Sequence, residues 1–219
     1  MADFPTLRRN MVDTQFRTNK VTNNRVLQSI GEIPREKFLP GDHSDFAYID
    51  EHLKINSSRT MVQPMILGRM IQATEISADA VVLDIGCATG YSSAVLGNIA
   101  RAVVALESNV KLVELASSNM TELGLDNVVV EKGPVQAGWL DQAPYDVIMI
   151  NGACEQVPIE VFDQLLDGGC LCAVIRNGKR NGVARLWNKY GEVISGRDLF
   201  DANVPILPEF ERKQGFHFA

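Results

Sequence analysis

Histidine and cysteine are scarce in this chain, with three and four copies in 219 residues. The cysteines (Cys87, Cys154, Cys170, Cys172) have no paired C-x-x-C spacing, so a structural zinc site is not expected. Reduced, mostly buried thiols in a cytoplasmic protein fit them better. Basic excess is lacking too: the formal net charge is -6 and no basic stripe runs along any segment. That argues against a nucleic-acid partner. The one dense basic cluster, "RNGKR" at 176–180, reads as a turn. The N-terminus (MADFPTLRRN) has no apolar core of the kind a signal peptide needs, and Asp84 or Asn151 interrupts the long apolar runs, so no membrane span is expected. Oligomeric state leaves no trace in the sequence.

What the chain does have is 46% apolar residues and enough length for a sizeable core. Residues 5–31 carry apolar positions at helical spacing (Leu7, Met11, Phe16, then Val26, Leu27, Ile30), and residues 41–63 look irregular. A helix should open at Pro64 and bury Ile66, Leu67, Met70 and Ile71. From residue 80 the texture changes to β-branched runs alternating with helical patterns. "AVVLDIG", "AVVALES", "NVVVEKG", "YDVIMING" and "CLCAVIR" read as successive strands, with helices at about 92–99, over "NVKLVELASSNMTELG" (109–124, stopped at Gly124) and near 158–166 between them. "VARLWNKYGEVISGR" reads as a hairpin. Such alternation predicts an α/β fold with a doubly wound, mostly parallel sheet. We divide it into an N-terminal helical and substrate-loop segment, 1–78, and an α/β cofactor-binding part, 79–219. The binding crevice of such a sheet lies at the carboxyl ends of its strands.

At the first of those ends stands "DIGCATGY". Gly86 and Gly90 permit a tight turn and a close backbone approach, and Glu107 ends the next strand, where a carboxylate can accept both ribose hydroxyls of an adenosine. A dinucleotide would bring its pyrophosphate to the helix start, beside the carboxylate of Asp84. S-adenosylmethionine carries cationic amino and sulfonium groups instead, and the G-x-G-x-x-G pattern would want glycine at Ala88. The residues therefore favour S-adenosylmethionine over a dinucleotide. Read singly, Asp84 could merely cap the turn and Glu107 could be a solvated strand end; together at adjacent tips they point to a cofactor site.

The order of motifs resembles the protein-L-isoaspartate O-methyltransferase family, from residue 8 to about 175. "RRNMVDTQF", "RVLQSIGEIPREKFLP", "AYIDEHLKI", "RTMVQPMILGRM", "LDIGCATGYSSAVLGNIA", "PYDVIMINGACEQVP" and "LLDGGCLCAVI" follow that family's segments in sequence. The resemblance implies a Rossmann-like methyltransferase fold, S-adenosylmethionine as cofactor and a protein or peptide carboxylate as acceptor. It implies cofactor roles for Asp84, Gly86, Cys87, Gly90, Tyr91, Glu107, Ser108 and Gly133, with Asn109 bordering the adenosine. Thr60, Val62, Gln63 and Pro64 fall on the family's T-I-S-x-P substrate loop. Three departures stand out: Val62 replaces the loop serine, Gly133-Pro134-Val135 replaces G-D-G, and "VIRNG" replaces P-V-G after the fifth strand while the C-terminal "NVPILPEFERKQGFHFA" matches poorly. A lost hydrogen bond to a charged group costs about 1.5–3 kcal/mol, so Val62 implies altered or weakened acceptor recognition. The alternative is an inactive cofactor-binding or interaction protein of the same fold.

Other residues leave a choice. Cys87 fits a small residue packed beside a ligand better than a reactive thiol, and Cys170 and Cys172 alternate onto one face of a strand, as core residues do. His43 and His52 lie in the irregular segment, where solvation is a simpler reading than catalysis. Asn151 either binds substrate or caps a turn at Gly152. Trp139, with no basic surround, reads as a core or rim aromatic.

Overall fold

The structure is a computed structural model that describes residues 3–178 and 181–212, apart from the side chain of Asp42. Lys179 and Arg180 of the basic cluster, and the last seven residues of the C-terminal segment, lie outside the described residues.

The predicted N-terminal helical stretch forms as α1 (Phe4–Met11) and α2 (Asn24–Glu32), joined by a π turn (Val12–Phe16) and a 3-10 turn (Arg17–Asn19). Asn23 opens α2 by accepting the N–H groups of Arg25 and Val26. The irregular segment holds a 3-10 turn at Gly41–Phe46 and a short antiparallel ribbon, β1 (Leu53–Lys54) with β2 (Thr60–Met61). The helix α3 (Pro64–Ala73) opens at its proline as expected and buries Ile66, Leu67, Met70 and Ile71.

The remaining elements are β3 (Val81–Ile85), α4 (Tyr91–Gly97), β4 (Ala102–Glu107), α5 (Val110–Leu123), β5 (Val128–Lys132), β6 (Tyr145–Cys154), α6 (Ile159–Asp163), β7 (Leu165–Ile175), β8 (Val183–Tyr190) and β9 (Val193–Asp201). One sheet runs in the order β5-β4-β3-β6-β7-β8-β9. The first five strands are parallel, and β8 and β9 form the expected antiparallel hairpin on the β7 edge. This is the doubly wound, mostly parallel, Rossmann-like α/β fold that the strand pattern predicts. Strand order reverses between β3 and β6, and their carboxyl ends form the crevice.

Two boundaries differ from the sequence reading. The helix predicted over 158–166 stops at Asp163, because strand pairing takes over at Leu165, which faces Tyr145 of β6. Gly168 and Gly169 therefore sit inside β7; a Cβ at Gly169 would come within 3.0 Å of the Tyr145 and Asp146 carbonyls. The fourth predicted strand was expected to end near Gly152, but β6 runs on to Cys154, slipping against β7 between Met149 and Ala153.

The C-terminal segment explains that extension. It crosses the crevice mouth as a strap, with Ile206 bridging to Ala153. Ala153 donates to the Pro205 carbonyl and Leu207 donates back to that of Ala153, each at 2.9 Å.

Candidate cofactor and acceptor site

Three positions of the β3–α4 turn take left-handed backbone: Gly86 (φ +73), Ala88 (φ +52) and Gly90 (φ +93). Such angles are cheap for glycine and strained for alanine. The close approaches these glycines allow are to the protein itself. A Cβ on Gly86 would lie 3.1 Å from Leu207 of the strap, and one on Gly90 would strike Met120 of α5 at 2.7 Å. Likewise Gly133 lies against the Trp139 ring, where a Cβ would come within 2.8 Å of it.

Asp84, near the end of β3, is fully buried. It accepts from the Ser92 hydroxyl at 2.7 Å and the Ser93 hydroxyl at 2.5 Å, both in the first turn of α4, and from the Asn151 amide. Burial pushes its carboxyl up to about 6, and the three bonds, Ser93 foremost, pull in the opposite direction. Asn151 thus neither ends its strand nor caps a turn at Gly152; it ties β6 to Asp84 across the switch point.

Glu107, the last residue of β4, is also fully buried. Its Oε1 accepts the backbone N–H groups of Ser108 (2.8 Å) and Asn109 (3.0 Å), and its Oε2 accepts that of Ala88 (3.1 Å). The remaining capacity goes to a residue the sequence reading did not single out. Arg59 grips both oxygens in a fork, Nε to Oε2 at 2.8 Å and Nη2 to Oε1 at 2.9 Å. The same guanidinium meets Glu209 of the strap at 2.8 and 3.1 Å and the Ser108 hydroxyl at 2.9 Å. Burial would lower the pKa of Arg59, but the bonds to Glu209 and Glu107 hold it above its ordinary value. For Glu209, burial acts upward and the bond from Arg59 outweighs it, leaving the carboxyl below its usual range.

The residues of the predicted substrate loop occupy the other wall. Val62 is buried, and its carbonyl accepts from Nη2 of the buried Arg35 at 2.9 Å. Arg35 in turn stacks 4.6 Å from the centre of the Tyr91 ring. Gln63 caps α3, and its N–H donates to Nδ1 of His52 at 3.0 Å; Nε2 of His52 reaches the Asn203 carbonyl at 2.8 Å. His52 is therefore hydrogen-bonded on both ring nitrogens and not free in solvent. Thr60, Val62, Gly86, Cys87, Tyr91 and Asn151 line one cleft of about 20 Å³. Gln63, Pro64, Asp84, Gly90, Glu107, Ser108 and Gly133 are not among its lining residues. Cys87 is buried, and burial raises its thiol pKa well above the ordinary value, which excludes a resting thiolate and agrees with a packing role. All four cysteines are free and buried, Cys170 and Cys172 in the core.

Residues 7–206 match the family model described as protein-L-isoaspartate(D-aspartate) O-methyltransferase. The chain belongs to that family. A relative named protein-L-isoaspartate O-methyltransferase from Koribacter versatilis is 38% identical over 162 residues, 74% of this chain and 73% of the relative. A solved structure of the same name superposes with a TM-score of 0.82 at 26% identity, covering 91% of this chain and 65%, just under two thirds, of that one. A putative member from Plasmodium falciparum, solved with S-adenosyl-L-homocysteine, superposes with a TM-score of 0.75 at 17% identity and shares the fold. Family membership makes the chain a methyltransferase. Arg59 and Glu209 were missed because they are single charges in irregular stretches; their only signal is that Arg59 immediately precedes the substrate loop.

Proposed function

We propose that the chain is an S-adenosylmethionine-dependent O-methyltransferase whose acceptor is a carboxylate on a protein or peptide. The observation that carries this reading is Glu107, set at the tip of β4 beside the glycine turn of β3, where a carboxylate accepts ribose hydroxyls. Asp84, Gly86, Cys87, Gly90, Tyr91, Ser108 and Gly133 are proposed to complete the cofactor side, and Thr60, Val62, Gln63, Pro64 and Asn151 the acceptor side. The free, buried cysteines support a cytoplasmic setting. Among the described residues no helix is long and apolar enough to cross a membrane.

The donor set suits S-adenosylmethionine, but the cleft in this conformation does not admit it. About 20 Å³ holds roughly one water, whereas sites for small ligands span about 300–1,000 Å³. The oxygens of Glu107 are already taken by Arg59 and three backbone N–H groups. That crowding also favours a second reading, a protein of this fold that has stopped turning over.

On the acceptor side, the Val62 side chain offers neither donor nor acceptor, so isoaspartyl recognition is proposed to be altered or weakened. The test is transfer from labelled S-adenosylmethionine to an isoaspartyl peptide, wild type against Val62→Ser. Restoring a hydroxyl worth about 1.5–3 kcal/mol should raise kcat/KM roughly tenfold to a hundredfold. If both proteins stay silent while S-adenosylhomocysteine binds, isoaspartyl methylation is not the reaction.

A further inference from the structure

We infer that Arg59 and the strap at 203–210 are a resident occupant of the cofactor cleft, a latch that must open before the cofactor binds. The inference rests on the cofactor reading above and adds a control element to it.

A carboxylate presents about four lone-pair positions. On Glu107, the backbone N–H groups of Ala88, Ser108 and Asn109 and the two arms of the Arg59 fork make five contacts, which leaves no acceptor position open. A ribose diol can reach Glu107 only after the guanidinium has left, because both need the same oxygens. The strap closes the adjoining space. Leu207 is buried over Gly86 and Gly152; a Cβ on Gly152 would fall 2.4 Å from its Cγ. Glu209 joins the two parts, since it binds Arg59 twice and accepts from the Ser108 hydroxyl at 2.7 Å.

The latch is built to open from outside inward. Glu209 keeps 24% of its side chain exposed, while Arg59 and Glu107 have 1% and 0%. The strap is held to β6 by backbone bonds between Pro205 and Ala153, Leu207 and Ala153, and Phe210 and Glu155. It adds no strand to the main sheet, so it can lift without breaking the parallel core. A released guanidinium still has the Ser58 carbonyl as a partner, which makes the open state reachable. Apparent affinity then equals intrinsic affinity scaled by the open fraction, and weakening the closed state tightens binding.

The experiment is calorimetric titration of the whole chain with S-adenosylhomocysteine. Glu209→Gln and Leu207→Ala loosen the latch and leave the buried pair intact; each should bind at least tenfold more tightly than wild type. Arg59→Gln should gain more if it folds, which the two strap variants make unnecessary. In wild type, hydrogen exchange at the amides of Ala153, Glu155 and Leu207, which donate the bonds between strap and β6, should speed up on saturation with S-adenosylhomocysteine. Equal affinities in wild type and strap variants, or slower exchange at those amides, would overturn the latch and leave the cofactor reading standing. No binding by wild type or by any folded variant would overturn the cofactor reading itself.

Discussion

Asp84 and Glu107 lie near the tips of neighbouring parallel strands, and both are completely buried. Asp84 is surrounded by neutral donors, two serine hydroxyls and one amide. Glu107 has three backbone N–H groups and a forked guanidinium. Burial costs a carboxylate its hydration, and only opposite charge or dense hydrogen bonding offsets that. One carboxyl is therefore pushed up to about 6, while the other is locked into an ion pair. The same fold position type yields a carboxylate burdened by its burial on one strand and an electrostatic clasp on the next.

Breaking each carboxylate should expose the difference. At pH 7.5, Glu107→Gln should cost about 3–5 kcal/mol, because it strands the Arg59 charge in the interior with only Glu209 to meet it. Asp84→Asn should stay within about 1 kcal/mol of wild type, since it trades a hydrogen bond for relief from burying charge. Urea denaturation of the two variants measures both. Equal losses would mean that the guanidinium adds nothing beyond the hydrogen bonds.

The strand texture, the glycine turn and the acid at the second strand tip were all legible, because each rests on local pattern. The hairpin was legible for the same reason, and so was the opening of α3 at Pro64. The clasp was not. Arg59 meets Glu107 across 48 positions and Glu209 across 150, and no periodicity links isolated charges at such distances. The strap hid for a related reason. Its prolines (Pro205, Pro208) and scattered apolar residues mark an extended segment without saying which surface it covers. Asn151 was misplaced because Gly152 looked like a strand end; Ile206 pairs with Ala153 one residue further on and keeps the strand going.

The pH dependence sharpens the comparison. Asp84 titrates near 6 in the folded chain against an ordinary value of 3.8. The folded state thus holds this proton more tightly than the unfolded state. Its contribution is fully present below pH 3.8 and is lost as pH rises through 6, a change of about 3 kcal/mol. Relative to Asp84→Asn, wild type should lose about that much stability between pH 3.5 and 7.5, read from denaturation midpoints at each pH. A flat difference would show that the carboxyl is not penalised by its burial.

The smallest effect should come from His52, which joins the predicted substrate loop to the strap through Gln63 and Asn203. Its Nδ1 accepts the Gln63 N–H, so only a ring with that nitrogen unprotonated keeps both bonds. Burial lowers its pKa, and the bond to the Asn203 carbonyl opposes this only in part. The neutral ring is favoured in the folded chain, so its contribution is fully present above about 6.5 and is lost as pH falls through the folded value. The sign is opposite to that of Asp84. His52→Ala should therefore cost about 1 kcal/mol at pH 7.5, and the gap to wild type should shrink at about pH 5. Paired denaturation curves at the two pH values decide it. A gap that stays constant would make His52 a packing residue, and the loop and strap would then be coupled through Arg59 alone.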